Sequence, residues 1–203
     1  MIYDVTILGL KPNTYGKVLP LLPEGISSDI REGKFLGSLW CEFGILNRAL
    51  ILSVYETVEA LHADRAAVAD GNPFGVGEHL NFIERTAYKP LSFMPDIELG
   101  SYGPFYEVRS YEVAAGGMQE TADAWSKVVE ERQGISKLLM VMAAIEGAPQ
   151  RLLHLWPYKT LNDRTSARAE ASSRGFWPPP GSSTHLLSLK SELFSAMKFS
   201  PLS

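Results

Sequence analysis

Cysteine is nearly absent from this 203-residue chain: Cys41 stands alone. A disulfide framework is therefore excluded, and a reducing, cytoplasmic setting is the expectation. The start, Met1-Ile2-Tyr3-Asp4, has no basic stretch leading into a long apolar one, so a secretory signal is not expected. No apolar run approaches the roughly 20 residues of a membrane-spanning helix. Positive charge is also short, with 19 Lys and Arg against 23 Asp and Glu. Nucleic acid is therefore not an expected partner, because phosphate binding needs clustered cations. The four histidines, His62, His79, His154 and His185, form no closely spaced pair, and no HExxH or CxxC occurs. No metal is expected on that ground. Gly75-Val76-Gly77 lacks the rest of a dinucleotide fingerprint, and neither a GxSxG nor a P-loop is present, so no cofactor is expected either. Cys41 itself lies on a strand without a base beside it and reads as a buried, inert thiol.

What the chain does have is a repeat. Ile2-Tyr3-Asp4-Val5 returns as Phe105-Tyr106-Glu107-Val108, an offset of 103 residues (106 − 3). At the same offset Gly44 falls on Gly147, Arg48 on Arg151, Tyr55 on Tyr158 and Arg65 on Arg168. Near the ends the offset is 106 (185 − 79): His79 meets His185, Phe93 meets Phe199 and Pro95 meets Pro201. The period is far longer than the 20–50 residues of solenoid units. It marks a duplicated domain, with units at residues 1–96 and 104–203 joined by the Pro- and Gly-containing stretch Pro95 to Pro104. A unit this small buries only roughly 60–65% of its unfolded surface, so the two should pack together.

Within the first unit, Ile2 to Leu10 reads as a buried strand. Tyr15 to Glu32 reads as a helix broken by Pro20, Pro23 and Gly25. Phe35 to Phe43 and Asn47 to Tyr55 form a hairpin, and Thr57 caps a helix running to about Ala69. A loop from Gly71 to Gly77 precedes a short helix and a last strand between Leu80 and Phe93. The second unit repeats this order. Phe105 to Val113 is a strand, and Met118 to Gln133 is a helix with Met118, Ala122, Trp125 and Val129 along one face. Leu138 to Ile145 and Arg151 to Tyr158 form the hairpin, Thr160 to about Ser173 a helix, and Glu192 to Phe199 the last strand. Each unit is thus βαββαβ, the ferredoxin-like arrangement of an α+β protein. Two such units cover their exposed sheet faces by packing sheet to sheet, with helices outside, as a barrel made within one chain.

Four motifs in order point to a family. Tyr106-Glu107-Val108-Arg109-Ser110-Tyr111 opens the second unit; His154-Leu155-Trp156-Pro157-Tyr158 follows, then Arg164 and Arg168, then Phe199-Ser200-Pro201-Leu202. In the first unit, Leu39 to Arg48 occupies the hairpin, with Glu42, Gly44 and Asn47 at its tip. Together these resemble the NIPSNAP family, whose domains run Tyr-Glu-Leu-Arg-x-Tyr, Thr-Glu-x-Gly-x-x-Asn, His-x-Trp-x-Tyr with downstream arginines, and Phe-Ser-Pro-Leu. The resemblance implies the dimeric α/β-barrel superfamily, in agreement with the strand order. It implies little about activity: eukaryotic members act in mitochondrial and vesicle-related signalling, and bacterial members are mostly unassigned. Without a visible transit peptide, the chain resembles the bacterial type. The superfamily also includes cofactor-free monooxygenases, haem-degrading enzymes, isomerases and lyases.

The repeats have diverged. At the positions of Arg109, His154, Trp156 and Arg164 the first unit has Thr6, Ile51, Ser53 and Leu61, while Glu42 corresponds to Ile145. Function is therefore sought in the second unit. His154 and Trp156 share one face of a strand, with Arg109 on another strand. An imidazole, an indole and a guanidinium in one cavity suit a flat, anionic or carbonyl-bearing ligand, with His154 as acid or base assisted by Arg109. Read structurally, the same residues are a satisfied histidine and a core tryptophan. Trp156, Tyr158, Tyr106, Trp177, Arg164 and Arg168 are the candidate ligand-binding residues. Arg164 and Arg168, four apart on a helix, are otherwise solvated or paired with nearby acids such as Asp163. Trp177 is either a lid or the anchor of its Pro-rich loop, and Trp125 belongs to the core. Glu42 and Asn47 either bind ligand or shape their turn.

Three functions follow as expectations. The first is a NIPSNAP-type protein holding a small apolar or aromatic ligand in a sheet-lined cavity. The second is a cofactor-independent monooxygenase, isomerase or lyase. The third is an interaction scaffold, favoured if the cavity falls below the roughly 300 Å³ of ordinary ligand pockets. Homo-oligomerisation stays open in all three.

Overall fold

The computed structural model describes residues 1–69 and 71–203. The first half contains β1 (Ile2–Leu10), α1 (Tyr15–Val18), α2 (Leu22–Asp29), β2 (Lys34–Phe43), β3 (Arg48–Tyr55), α3 (Val58–Ala69) and β4 (Leu80–Pro90). The second contains β5 (Phe105–Val113), α4 (Met118–Ser126), α5 (Val129–Gln133), β6 (Met140–Ala144), β7 (Gln150–Tyr158), α6 (Leu161–Ser173) and β8 (Leu186–Ala196). The strands close into one barrel in the order β1-β3-β2-β8-β5-β7-β6-β4. Each half contributes a four-stranded antiparallel sheet, and the halves are joined along β2–β8 and β4–β6. Closure pairs both outer strands of each half-sheet with the other half.

The register repeats as the strands do. Asp4 lies opposite Ser53 on β3 and Ala87 on β4, while Glu107 lies opposite Trp156 on β7 and Leu193 on β8. These pairs fix Glu107 as the counterpart of Asp4, and Leu193 as that of Ala87.

Where the chain departs from expectation, the causes are local. The first helix is two pieces, with Pro20 between them and Pro23 in the first turn of α2, where its missing N–H costs nothing. The Met118–Gln133 helix is also divided, because Val128 leaves the helical region at φ −128° beside a second β-branched residue, Val129. No short helix lies between Leu80 and Phe93: two 3-10 turns, Pro73–Gly75 and Gly77–His79, precede a β4 that starts at Leu80. The last strand likewise starts at Leu186, before the expected Glu192, and stops at Ala196. Phe199-Ser200-Pro201-Leu202 is therefore a tail. It plugs one end of the barrel, where Leu202 is buried, Ser200 Oγ accepts from Ser38 N (3.0 Å) and the Leu202 carbonyl accepts from Tyr106 Oη.

Alternation along the strands sends one set of side chains into the lumen and the other under the helices. Tyr3, Val5, Leu50, Leu52, Tyr106, Val108, Leu153, Leu155 and Phe194 fill the lumen. Tyr111, Trp125, Val129, Leu152, Trp156 and Tyr158 form a second core beneath α4, α5 and α6. No helix among the described residues is long and apolar enough to cross a membrane.

Candidate functional site

Two spaces merit comparison. The first is the open end of the lumen, a cavity of about 270 Å³. Its floor is apolar, with Val5, Leu50, Val108, Leu153 and Phe194, and its mouth is charged. Arg48 pairs with Glu192, which Lys190 also approaches at 2.9 Å. Arg151 donates to Glu84 (3.0 Å) and Thr86 (2.9 Å). The two repeat-related arginines thus each reach an acid of the opposite half, so the charges at the mouth largely satisfy one another. Cys41 is buried and its thiol is pushed up by burial, as an inert side chain would be.

The second space lies where the family-like motifs converge. His154, Trp156 and Tyr158 do share a face, but it is the face under the helices and not the lumen. Trp156 Nε1–H donates to His154 Nδ1 at 2.6 Å. The imidazole is only 1% exposed and packs edge-on against Tyr111 and Trp125, at centroid distances of 4.7 and 4.8 Å. Its Nε2 has no hydrogen-bond partner among the described residues. Burial, with the charges of Arg109, Arg168 and Arg132, holds its pKa well below the usual histidine value. The ring is thus held neutral, accepts from an indole and is walled in by aromatics. Arg132, 2% exposed, lies 4.4 Å over the Trp156 ring and 5.4 Å over Trp177, and donates to Ser136 Oγ at 2.6 Å. Trp177 also packs 4.9 Å from Trp125, so it anchors its loop onto this cluster. Tyr106 alone of the candidate residues turns into the lumen.

The centre of the arrangement is a residue not singled out from sequence, Glu107, whose side chain is 2% exposed. Arg164 donates to its Oε1 at 2.6 Å, as does Ser191 Oγ at 2.6 Å. Arg109 and Arg168 stand 3.8 and 3.9 Å from the same oxygen. Burial raises the Glu107 pKa, but the hydrogen bonds from Arg164 and Ser191 and the charge of Arg109 outweigh it, so the carboxyl is held below its ordinary value. Asp163, the acid nearest the two helix arginines in sequence, is occupied otherwise: it closes a capping box with Thr160 at the start of α6. Three guanidinium groups thus lie within 4 Å of one carboxylate. Arg164 and Glu107 form one wall of a cleft of about 420 Å³, completed by Leu161, Thr165, Ser191, Leu193, the tip of the β2–β3 hairpin at Phe43 and Gly44, and a second carboxylate, Glu192, which Arg48 and Lys190 pair. Glu42, at the same tip, accepts from Ser195 Oγ at 2.5 Å, and Asn47 turns the hairpin with φ +55°.

The first half builds a closed version. Asp4 pairs with Arg65 at 2.6 Å, in the positions of Glu107 and Arg168. Where the second half has its cleft, however, the first accepts the side chain of Glu146 from the opposite hairpin, at 2.9 Å from Arg65 and 2.6 Å from the Ala87 amide.

An eight-stranded closed barrel of two ferredoxin-like halves, with helices outside, defines the dimeric α/β-barrel class. Residues 106–201, most of the second half, match the NIPSNAP family model. Protein NipSnap of Drosophila melanogaster is 29% identical over 91 residues, which are 45% of this chain and 32% of that protein. Among solved structures, a candidate monooxygenase from Lactobacillus acidophilus superposes with a TM-score of 0.68 at 11% identity, covering 97% of this chain and 94% of its own. An anthrone oxidase-like protein gives 0.65 at 13% identity, covering 98% and 93%. At such identities the likeness concerns the fold.

Proposed function

We propose that this protein, a NIPSNAP-type barrel by its second half, binds a small anionic molecule in the cleft between β5, β8, α6 and the β2–β3 hairpin tip, with Arg164 as the principal contact and Arg168 and Arg109 supplying charge. The observation that carries this reading is the imbalance at Glu107, where three arginines share one buried carboxylate beside an open cleft. An anion offsets that excess. The lumen is the weaker candidate. At about 270 Å³ it lies under the roughly 300 Å³ of ordinary ligand pockets, and its charges are already paired across the halves. The cleft has the room, Arg164 lines it with Arg109 and Arg168 gathered behind at Glu107, and the apolar side chains Phe43, Leu161 and Leu193 suit an apolar portion of the ligand.

His154 does not serve as an acid or base in this reading; it orients Trp156 within the wall behind Glu107. The monooxygenase, isomerase and lyase alternatives rest on the fold alone. The test is native mass spectrometry of protein purified from its own host. A small-molecule adduct on the wild type that is missing from Arg164→Ala supports the proposal. An adduct that survives Arg164→Ala but is displaced by Leu50→Trp, which fills the lumen, contradicts it.

A further inference from the structure

Resting on the cleft reading, we infer that the group recognised there is a carboxylate on an apolar body, and that the chain already displays this recognition in its first half. The β4–β6 seam continues through Ile145 N donating to Ala87 O at 2.9 Å, and the next residue, Glu146, sends its carboxylate onto Arg65 and the Ala87 amide. At the matching β2–β8 seam, Phe43 lies opposite Leu193, the counterpart of Ala87, and the next residue is Gly44. The sequence repeat alone pairs Gly44 with Gly147, but the β-bulge between Cys41 and Phe43 moves the structural equivalence by one residue, onto Glu146.

The carboxylate that fills the first copy is thus replaced in the second by a residue with no side chain. Gly44 has φ +125°, a conformation that favours glycine, and an added Cβ would stand 2.5 Å from Glu192 Oε1, so position 44 sends no side chain of its own toward Arg164. The receiving side is retained and strengthened. Glu107 stands for Asp4 and Arg168 for Arg65, and Arg164 is added where the first half has only Leu61. In the first copy Arg65 bridges two carboxylates, Asp4 and Glu146, through one nitrogen. In the second, Arg164 bridges Glu107 to an incoming one. The planar guanidinium fork matches a carboxylate well. The neighbouring acid Glu192 is neutralised by Arg48 and Lys190, so it does not repel the ligand strongly. Phe43, Leu161 and Leu193 receive the apolar body.

The experiment is calorimetric titration of the full chain with hexanoate, its neutral analogue hexanamide, and inorganic phosphate. Hexanoate should bind roughly tenfold or more tightly than hexanamide, the scale of one lost charge-assisted hydrogen bond. Arg164→Ala should remove this preference. Leu161→Trp, a change at an exposed position on the first turn of α6, should block binding without disturbing the core, and it serves if Arg164→Ala fails to fold. Phosphate binding that depends on Arg164, without hexanoate binding, overturns the carboxylate inference and leaves the anion cleft standing. No binding of either anion that responds to Arg164→Ala or Leu161→Trp overturns both.

Discussion

Glu146 and Arg65 come from opposite halves of the chain and meet at 2.9 Å, joining the β6–β7 hairpin tip to α3. This contact fills in one half what stays open in the other. Arg65 is largely shielded while Glu146 is about a third exposed, so the pair is partly screened. Its carboxylate also accepts from the Ala87 amide at 2.6 Å. Glu146→Ala should therefore destabilise the protein by about 1–2 kcal/mol in urea unfolding, with part of the loss disappearing in high salt. A salt-independent loss would mean that packing at the tip, rather than charge, holds the hairpin.

Glu107→Ala should cost more, about 2–4 kcal/mol, because it leaves Arg109 and Arg164 without their buried counter-charge. The partial exposure of Arg164 keeps the figure below that of a fully buried pair. Arg164→Ala should cost less, since Ser191, Arg109 and Arg168 remain near the carboxylate. Chemical denaturation of the two variants and the double variant gives the ordering and the coupling. Equal losses would remove Glu107 from the centre of the site.

His154 sets a pH dependence. Its pKa is lowered on folding, so below about pH 6.5 the unfolded chain binds a proton that the native chain does not. Stability is then fully present above that pH and falls as pH drops, with a slope approaching about 1.4 kcal/mol per unit from this one group. His154→Gln lacks the titration and should show a shallower decline between pH 6.5 and 5.5 in parallel urea series. Identical slopes would mean that the native imidazole is protonated after all.

Gly44→Ala should destabilise by about 1–3 kcal/mol, since its φ of +125° is unfavourable for alanine. It should also weaken the Arg48–Glu192 pair, because the new methyl group meets the Glu192 side chain. Thermal melts compared with Gly16→Ala, where nothing lies within 4 Å, isolate the effect.

Much of this arrangement is legible in the sequence. The repeat offset, together with the strand order, yields the two ferredoxin-like halves, because alternation and turn residues are local signals. Spacing of two puts His154 and Trp156 on one face. Which face cannot be read, since the half-sheets are apolar on both sides: one lines the lumen and the other packs under helices. The role of Glu107 has a faint signal in the sequence, the paired offset of Asp4 with Glu107 and Arg65 with Arg168. An acid on the first strand is matched twice by an arginine on the last helix. The role of Gly44 was hidden by a one-residue bulge, which no pattern of residue types announces. The starts of β4 and β8 are hard to read because exposed residues such as Phe82, Leu187 and Leu189 lie on long strand ends, where burial does not enforce a clean pattern.

The central claim is that the ligand site lies under α6 and not in the lumen. Amide chemical-shift mapping during a titration with hexanoate tests it most directly. The cleft account predicts shifts clustered at Gly44, Thr165, Ser191 and Leu193, and abolished in Leu161→Trp. Shifts centred instead on Val5, Thr86, Ser110 and Leu153, and unaffected by Leu161→Trp, would contradict it.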